Sequence, residues 1–473
     1  MPKGPEGATC SYNSDCASPL VCLGAVCRRQ CNVTRDCTAG FTCNANNVCQ
    51  PERWLFEKPP AGLIPLPPLA ANCEPITAGK AKDIVVGGGH TCVLLETGQV
   101  RCWGDGGFGV LGYGNENSLG DDEPAGCGGD VKLPAPALEL AAGTLHTCAR
   151  LVGGNVICWG ANHSGQLGTG NYEHIGDNEI PLQGYVVNFS GPSEQIVAGG
   201  THTCVRRATS VNCWGVNRGS NEQRLQYGPL PTVVPIGSPV LSLSAGPTHN
   251  CAIVLGDGLR CWGENTGGQL GQLSTTAMPD PSAIANVDLG GATVAQVVEG
   301  EAHTCALLKG NGMDGQVYCW GSNQFGQLGY NPDPVNGITA LGTSTDFPLL
   351  TAGPVQVGVP TKQLAAGRFH TCALLVDGKV RCWGLNDRGY LGYGNAAITS
   401  NAPPSAGDVP LGGLAVRIAA GSIHTCALLE NGDIRCWGVN LNGSLGYGLT
   451  DAQNASIGDD EPPSAATSPI RYR

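Results

Sequence analysis

Fourteen of the 24 cysteines stand in seven pairs, with the two members of a pair nine to fourteen residues apart. Each pair lies in one copy of a repeated phrase, such as HTCALLVDGKVRCWG from His370, on either side of a turn. Cysteines that face each other across a hairpin have the separation that a disulfide needs. The Cys-x-x-Cys spacing of zinc sites is absent. The pattern therefore favours disulfides over metal centres or buried free thiols. The predicted bridges are Cys92–Cys102, Cys148–Cys158, Cys204–Cys213, Cys251–Cys261, Cys305–Cys319, Cys372–Cys382 and Cys426–Cys436, with Cys73–Cys127 as an eighth.

A second candidate chemistry lies in an acidic motif that occurs in three of the repeats. It reads LGDDEP at residues 119–124, IGDNEIP at 175–181 and IGDDEPP at 457–463. Clustered carboxylates supply the oxygen ligands that Ca²⁺ takes, but Gly, Asp and Pro in this order also form ordinary turns. Both interpretations stay open, and calcium is the only cofactor that the sequence suggests. The candidate calcium ligands are Asp121, Asp122, Asp177, Asp459 and Asp460.

The histidines do not form a catalytic set. Seven of the nine begin the repeated phrase, and seven equivalent copies cannot each be an active site, so a buried structural hydrogen bond is predicted for them. His163 and His174 fall in one loop region and are expected to be exposed. GxSxG, HExxH and phosphate-binding-loop motifs are absent, and no non-repeated cluster of acid, base and cation is visible. The sequence therefore predicts a protein that is not an enzyme.

Short strands must position these residues. The phrase occurs seven times at a spacing of 47–67 residues, which indicates a repeat architecture. Within each copy, a run such as TCALL and a run such as KVRCWG flank a turn, as the strands of a β-hairpin do. A Gly-rich loop, a Pro-containing segment and a further strand complete a unit of about four strands. Such units are typical of propeller blades, so the predicted fold is an all-β, seven-bladed β-propeller.

The repeated elements resemble those of the regulator of chromosome condensation repeat family. The matching motifs are AAGxxHT, ALLxxGxVxxWG and GxNxxGQLGxG, which recur over residues 84–473. The resemblance implies a seven-bladed propeller. It does not imply one function, because the family includes exchange factors for small GTPases, a plant light receptor, secreted protein inhibitors and bacterial surface proteins. A bacterial secreted or surface type with an N-terminal Cys-rich module is the expected member.

Three segments are predicted along the chain. Residues 1–50 contain two copies of a four-Cys pattern, which is typical of a small disulfide-rich module. Residues 51–75 form a Pro-rich, semi-rigid linker. Residues 76–473 form the propeller, and a C-terminal strand near 464–473 is expected to close it by completing the blade begun by residues 76–104.

Composition restricts the location and the partners. The formal net charge is −12, which argues against nucleic acid because nucleic-acid binding needs a basic surface. No stretch approaches the length of a transmembrane span, and no apolar signal segment begins the chain. The cysteine pattern nevertheless requires an oxidising compartment. We therefore expect an extracellular or outer-surface location, with a signal sequence that has been removed.

The sequence thus predicts an extracellular or cell-surface binding or scaffold protein. It would recognise a protein or a glycan through propeller loops that vary between blades, such as residues 171–183, 218–229 and 330–345. Two alternatives stay open. One is a structural subunit that self-assembles into a surface filament or appendage, and the other is a polysaccharide-acting enzyme with its site in the channel.

Overall fold

The computed structural model describes the propeller more fully than the N-terminal region. The chain divides into two compact units, Met1–Pro59 and Pro60–Arg473. Before residue 79, only the backbone of four short strands is described. The predicted linker beyond Pro51 and the predicted bridge partner Cys73 therefore lie outside the described residues. From residue 79 onward the described residues are 79–181, 186–189, 191–217, 225–256, 258–278, 280–330, 339–344, 349–395, 407–449, 456–466, 469–470 and 472.

The N-terminal unit contains two described β-hairpins. Its strands are β1 (Leu20–Leu23), β2 (Val26–Arg29), β3 (Phe41–Cys43) and β4 (Cys49–Pro51). β1 pairs with β2, which places Cys22 opposite Cys27, and β3 pairs with β4, which places Cys43 opposite Cys49. Each hairpin falls in one copy of the four-Cys pattern, whose disulfides lie outside the described residues.

The second unit contains seven antiparallel sheets of three or four strands. Each sheet comes from one contiguous stretch of chain, and we number the sheets as blades 1 to 7 in chain order. The predicted all-β, seven-bladed propeller is confirmed. The strands, blade by blade, are β5 (Ala81–Val86), β6 (His90–Leu95) and β7 (Val100–Gly104); β8 (Ala137–Ala142), β9 (His146–Leu151) and β10 (Val156–Gly160); β11 (Gln195–Ala198), β12 (His202–Arg206), β13 (Val211–Asn217) and β14 (Leu225–Val234); β15 (Val240–Ala245), β16 (His249–Val254) and β17 (Gly258–Gly263); β18 (Thr293–Glu299), β19 (His303–Lys309), β20 (Val317–Ser322) and β21 (Ala340–Leu341); β22 (Thr361–Ala366), β23 (His370–Leu375) and β24 (Val380–Gly384); β25 (Ala415–Ala420), β26 (His424–Leu429), β27 (Ile434–Val439) and β28 (Ser456–Ile457).

Helical structure in the described part of the chain is limited to 3₁₀ turns of three or four residues. None of these helices is long and apolar enough to cross a membrane. The turns are Gly107–Gly109, Ala125–Gly128, Pro281–Ala283, Leu349–Ala352, Leu441–Gly443 and Pro463–Ala465.

The repeated phrase forms the two central strands of every blade. In blade 6, β23 pairs with β24, so that Thr371 lies opposite Trp383 and Cys372 opposite Cys382. Every residue of β23 is buried, whereas a half-exposed sheet would bury alternate residues only. The difference arises because each blade is covered on both faces by its neighbours in the ring. Small and apolar residues therefore follow one another along the strand.

All seven predicted cysteine pairs within the blades are disulfides. Each joins residues that face each other across the second and third strands, with Cα atoms 4.0–4.1 Å apart. A bridge that closes so short a loop adds roughly 2–3 kcal/mol to stability by restricting the unfolded chain. Cys127 is also disulfide-bonded, and its pairing with Cys73 stays a prediction.

Neighbouring blades are joined by a hydrogen bond from a buried histidine. His90 Nε2 lies 2.9 Å from Thr147 Oγ1 of the next blade, and the contact recurs in every blade with Thr or Asn as the partner. The last contact joins blade 7 to blade 1, so the bonds form a closed ring. The seven histidines are therefore structural, as predicted. The contacts are His90–Thr147, His146–Thr203, His202–Asn250, His249–Thr304, His303–Thr371, His370–Thr425 and His424–Thr91.

The threonine of this contact also bonds to the preceding blade. Thr203 Oγ1 donates to the Gln166 carbonyl at 2.9 Å, and Trp214 Nε1 donates to the same oxygen at 2.8 Å. Because the hydroxyl proton is used in this bond, the hydroxyl oxygen accepts from the imidazole of His146, which must carry its proton on Nε2. The His, Thr, Trp and Gln of the repeat therefore serve one function, which is to join the blades.

A glycine is required beside five of the seven imidazoles. A Cβ added to Gly143 would lie 2.1 Å from Cε1 of His146 and 2.5 Å from the carbonyl oxygen of Gly199 in the next blade. Real Cβ atoms do not approach other atoms so closely. The glycine of the AAGxxH motif thus allows the histidine ring and the neighbouring blade to approach the strand.

The C-terminal segment joins the last blade and not the first. The amide of Ile470 donates to the carbonyl of Ile434 in blade 7, as the amide of Val131 donates to that of Val100 in blade 1. Both blades therefore receive their outer segment from the chain that follows their own third strand. This arrangement differs from the predicted one, in which residues 464–473 complete the first blade. Contiguous blades leave no gap in blade 1 for that strand.

Tyr472 nevertheless connects the two ends of the ring. Its side chain is buried, and its hydroxyl donates to the Gly432 carbonyl of blade 7 and accepts from the Ala81 amide of blade 1. Its own carbonyl accepts from the buried guanidinium of Arg101 at 2.6 Å. The closure at this junction therefore rests on side-chain and tail contacts, together with the bond between His424 and Thr91.

Candidate functional site

The loops that differ between blades emerge on one face of the propeller. In blade 6, Gly384 ends the third strand and lies opposite His370, which begins the second strand. The turn before the histidine and the loop after the glycine must therefore leave the blade at the same end. We call this end the loop face, represented in blade 6 by residues 367–369 and 385–395. The hairpin turns, such as residues 376–379, form the opposite face.

The innermost strand of each blade lines the central channel. Two successive positions of this strand, directly before the glycine of the AAGxxH motif, form what we call the small-residue belt. Twelve of its fourteen residues are Ala or Val, and the two exceptions are Ser244 in blade 4 and Glu299 in blade 5. The belt consists of Val85, Val86, Ala141, Ala142, Val197, Ala198, Ser244, Ala245, Val298, Glu299, Ala365, Ala366, Ala419 and Ala420.

Glu299 and Ser244 meet across the boundary between their blades. Ser244 Oγ donates a hydrogen bond to Glu299 Oε2. The residue Glu299 is only 7% exposed, and its Oε1 atom is buried without a hydrogen-bond partner among the described residues. Burial raises the pKa of the Glu299 carboxyl to about 8. A buried carboxyl that lacks a partner is more typical of a functional site than of a packed core.

Charged and aromatic residues of blades 5 and 6 meet at the mouth of the channel. Arg368 Nε lies 3.3 Å from Glu301 Oε2, and the Arg368 guanidinium lies 4.9 Å from the ring centre of Phe369. Phe369 in turn contacts Phe325, with ring centres 5.1 Å apart. We call these four residues the mouth patch. At the position of Arg368 the other blades have Gly88, Thr144, Gly200, Pro247, Glu301 and Ser422.

A second aromatic group lies between blades 1 and 2 on the loop face. The Phe108 ring centre lies 5.1 Å from that of His174 and 6.3 Å from that of His163. His163 is exposed as predicted, whereas His174 is half-buried and accepts from the Asn162 amide through Nδ1. Phe108 is 38% exposed and has a φ of 60°, which is rare for an aromatic residue. We call Phe108, His163 and His174 the Phe108 cluster.

The five predicted calcium ligands lie in three separate places. Asp121 and Asp122 come together with Glu123, and Asp459 and Asp460 come together with Glu461. In each triplet the carboxylate oxygens lie within 4.8 Å of one another. Asp177 belongs to neither triplet and lies beside Glu179. The structure therefore adds the two glutamates Glu123 and Glu461 to the predicted set and separates Asp177 from the triplets.

Each acidic loop packs against a glycine turn of the preceding blade in the ring. A Cβ added to Gly443 would lie 2.4 Å from the Asp121 amide nitrogen, and one added to Gly389 would lie 2.7 Å from that of Asp459. Asp459 Oδ1 accepts from the amide of Asp460 at 3.1 Å. These contacts give the motif a structural role as a turn. They leave the carboxylates on the loop face.

The ionisation of these loops reflects crowding. Burial, followed by a hydrogen bond to Asp122 and the charge of Asp121, raises the pKa of Glu123 to about 8. A cation would reverse this effect, but three carboxylates supply only part of the six to eight oxygens that Ca²⁺ takes. Calcium binding stays a prediction. Calorimetric titration of chelator-treated protein tests it, and an absence of heat at millimolar Ca²⁺ would leave the turn interpretation alone.

Sequence analysis missed the polar residues of the channel. It found no non-repeated acid and cation at one end of the blades, but the structure places Glu299 and the Glu301–Arg368 pair there. The signal is visible when the seven triplets that end in the motif glycine are aligned. They read VVG, AAG, VAG, SAG, VEG, AAG and AAG, so only VEG contains a charge. Of the loops that were expected to vary, residues 182–183, 218–224, 331–338 and 345 lie outside the described residues.

Comparison with known proteins agrees with this architecture. Two profiles of the Regulator of chromosome condensation (RCC1) repeat match the chain. The first matches residues 81–110, 139–166, 294–327, 362–389 and 415–444, and the second matches 153–206 and 314–374.

Curated relatives share the repeats over part of their length. The chain is 34% identical over 212 residues to the Ultraviolet-B receptor UVR8 of Arabidopsis thaliana, which covers 44% of this chain and 43% of that protein. It is 28% identical over 352 residues to the human probable E3 ubiquitin-protein ligase HERC4, which covers 74% of this chain and 31% of that protein. The chain thus spans less than half the length of these relatives.

Solved structures share the fold at low identity. Yeast RCC1 (Prp20), solved with Kap60 bound, is 22% identical with a TM-score of 0.59 and covers 88% of this chain and 89% of its own. Human WBSCR16 is 22% identical with a TM-score of 0.57 and covers 74% and 86%. The repeats matched in sequence and the shared propeller show that this chain belongs to the regulator of chromosome condensation (RCC1) repeat family.

Proposed function

We propose that the protein is an extracellular or cell-surface binding protein that recognises a protein partner through its loop face. One observation carries the proposal. The His, Thr, Trp, Cys and Gly of the repeat are occupied in building the ring, whereas the mouth patch of blades 5 and 6 and the Phe108 cluster of blades 1 and 2 are not repeated and both lie on the loop face. Loops on a rigid scaffold are where recognition residues are usually found.

The chemistry of the mouth patch suits a protein surface. Arg and aromatic residues contribute most of the binding energy in many protein interfaces, and Arg368, Phe325 and Phe369 stand together at the channel mouth. Structures in the same family add support, since the yeast protein was solved with Kap60 bound and has been studied for binding to Gsp1p and histones. With a net charge of −12, the protein favours neutral or basic partners in a salt-sensitive association.

The extracellular location is supported by the disulfides. Seven buried bridges, one in each blade, form and persist in oxidising compartments. Alkylation of the protein as isolated from its native source, followed by mass spectrometry, should detect no free thiol at these fourteen cysteines. Alkylated cysteines in freshly isolated protein would contradict an oxidising location.

The binding proposal is tested with residues exchanged between blades. Phe325→Ser with Arg368→Ser gives blade 5 the Ser164 of blade 2 and blade 6 the Ser422 of blade 7, so the fold should tolerate both changes. The control, Val376→Glu, changes an exposed residue of the opposite face to the Glu430 of blade 7.

Each oxidised protein is immobilised, exposed to extracellular fractions of its source, and analysed for captured proteins. The native protein and the Val376→Glu control should enrich the same partner, and the double variant should not. Equal capture by all three proteins would contradict the proposal that the mouth patch binds the partner. Binding on a glycan array with no captured protein would replace the protein partner by a glycan.

A further inference from the structure

The small-residue belt contains one polar pair that the architecture of the ring does not require. In five of the other six blades Ala occupies the position of Glu299, and in blade 1 it is Val86. At the position of Ser244 the other blades have Ala or Val. These blades form the same strands and the same contacts to their neighbours without either polar group. Ser244 and Glu299 therefore have a role other than holding the blades together.

The hydrogen bonding of Glu299 is incomplete within the described part of the chain. Oε2 accepts from Ser244, whereas Oε1 is buried and has no partner among the described residues. Glu299 lines a cavity of about 80 Å³ at the channel mouth as well as the channel itself. Leaving a buried carboxyl oxygen without a partner is costly, so a donor that enters the channel would be favoured.

We propose that the channel binds a primary ammonium group at the end of an aliphatic chain, with Glu299 Oε1 as its acceptor. Because burial raises the pKa of this carboxyl, the empty site holds a proton at neutral pH. An entering ammonium group would take the place of that proton, since a cation is the donor that best stabilises a buried carboxylate. The walls next to it are mostly Ala and Val side chains, which suit an aliphatic stem, and Thr144, Arg368 and Ser422 line the cavity at the mouth. Two kinds of ligand carry such an ammonium group: a lysine side chain of a protein partner and a small free amine.

Two other cations fit the site less well. A guanidinium pairs best with both oxygens of a carboxylate, but Oε2 of Glu299 is already bonded to Ser244. Ca²⁺ needs six to eight oxygen ligands, and the belt offers one carboxyl and one hydroxyl side chain. An ammonium is a compact cation with three donors, one of which fits the free oxygen of Glu299.

The test uses the full chain and two probes, butylammonium and Nα-acetyl-lysine methylamide, titrated by calorimetry in amine-free buffer. Both Glu299→Ala, which gives the residue of five other blades, and Glu299→Gln should weaken binding at least about tenfold. Nα-acetyl-arginine methylamide and neutral butanol should bind more weakly than the ammonium probes. Glu430→Val, which removes an exposed carboxylate of the opposite face and gives blade 7 the Val376 of blade 6, serves as the control and should retain binding.

The outcomes separate the two sources of the ammonium group. Tighter binding of the lysine derivative than of butylammonium would indicate a partner lysine, in which case the inference rests on the proposed protein-binding function. Binding of butylammonium alone would indicate a small amine. Failure of both probes, or equal binding by the native protein and Glu299→Gln, would overturn the proposal. Because this titration uses no protein partner, its failure would not contradict the proposal that the loop face binds a protein, which is tested separately.

Discussion

His424 Nε2 lies 2.6 Å from Thr91 Oγ1, although the two residues are 333 positions apart in the chain. An equivalent bond joins each of the other six pairs of neighbouring blades. The contact between His424 and Thr91 therefore closes a ring of seven such bonds. Each of these histidines is buried and each bond crosses a blade boundary. The most repeated residue of the sequence therefore marks the joints of the scaffold and not an active site.

Replacing Thr91 should weaken the closure of the ring. Thr91→Val keeps the shape but leaves the buried Nε2–H of His424 without an acceptor, which should lower the free energy of unfolding by about 1–3 kcal/mol. Thr91→Asn copies Asn250, which accepts the equivalent bond from His202, and should lose less. Urea unfolding of the three proteins measures the effect. If Thr91→Asn is as destabilised as Thr91→Val, the hydrogen bond does not explain the loss.

The seven buried histidines should make stability sensitive to acid. Burial lowers the pKa of each imidazole, to about 4 in His90, His202 and His370 and to about 3 in His146, His249, His303 and His424. The unfolded chain takes up these protons near pH 6.5, before the folded protein does. Their contribution to stability is therefore complete above pH 6.5 and is lost as the pH falls toward 4.

Thermal unfolding followed from pH 7 to pH 4 measures this linkage. Unfolding near pH 5 should take up close to seven protons through these groups, and His249→Gln should reduce that number by about one. Val376→Gln, at an exposed position of the opposite face, introduces no titrating group; it is the control and should leave the slope unchanged. A melting temperature that does not fall between pH 6.5 and 4.5 would show that the buried rings are not neutral in the folded state.

Glu299 should act in the opposite direction. Its folded pKa of about 8 lies above the usual value of 4.5, so the folded protein holds a proton that the unfolded chain has lost between these pH values. Stability from this group is complete below pH 4.5 and falls as the pH rises through 8. Glu299→Gln should match the native protein at about pH 4 and exceed it by roughly 5 kcal/mol at about pH 9. An equal difference at both pH values would contradict burial as the cause.

Tyr472 should contribute strongly to stability even though it stands next to the end of the chain. Tyr472→Phe removes the bonds to Gly432 and Ala81 and should cost about 1–2 kcal/mol. Tyr472→Ala also leaves a cavity where the buried ring was and should lower the free energy of unfolding by about 3–5 kcal/mol. Differential scanning calorimetry measures both variants. Unchanged melting of Tyr472→Ala would mean that the tail does not hold blades 7 and 1 together.

The repeated residues predicted most of the fold. A phrase repeated seven times fixes strand, turn and disulfide positions together, because Cys92 can face Cys102 only if the hairpin register is right. The connection at Tyr472 could not be predicted in this way, since the tail occurs once and makes tertiary contacts. Sequence analysis did not single out Glu299 for a related reason. It stands in a strand position like any other, and its meaning depends on its being the one charge in a ring of small residues.

The acidic loops show the limit of motif reading. The triplets with Asp121 and Asp459 were recognisable by sequence, but Glu123 and Glu461 were left out although Glu occupies the third position in all three copies. The sequence also grouped Asp177 with them, whereas the structure places it apart. Which carboxylates meet depends on how each loop packs against the glycine turn of the preceding blade. The Asp121 amide, for example, packs against Gly443, which is more than 300 residues away in the sequence.

The central claim is that the loop face, and not the opposite face, binds a partner. The most direct test is the dissociation constant of the captured partner, measured by calorimetry at two salt concentrations for the native protein and the two variants. Phe325→Ser with Arg368→Ser should weaken binding at least about 30-fold, the equivalent of two kcal/mol, while Val376→Glu should bind as the native protein does. A complex whose affinity is unchanged by the double variant but reduced by Val376→Glu would place the interface on the opposite face and contradict the account.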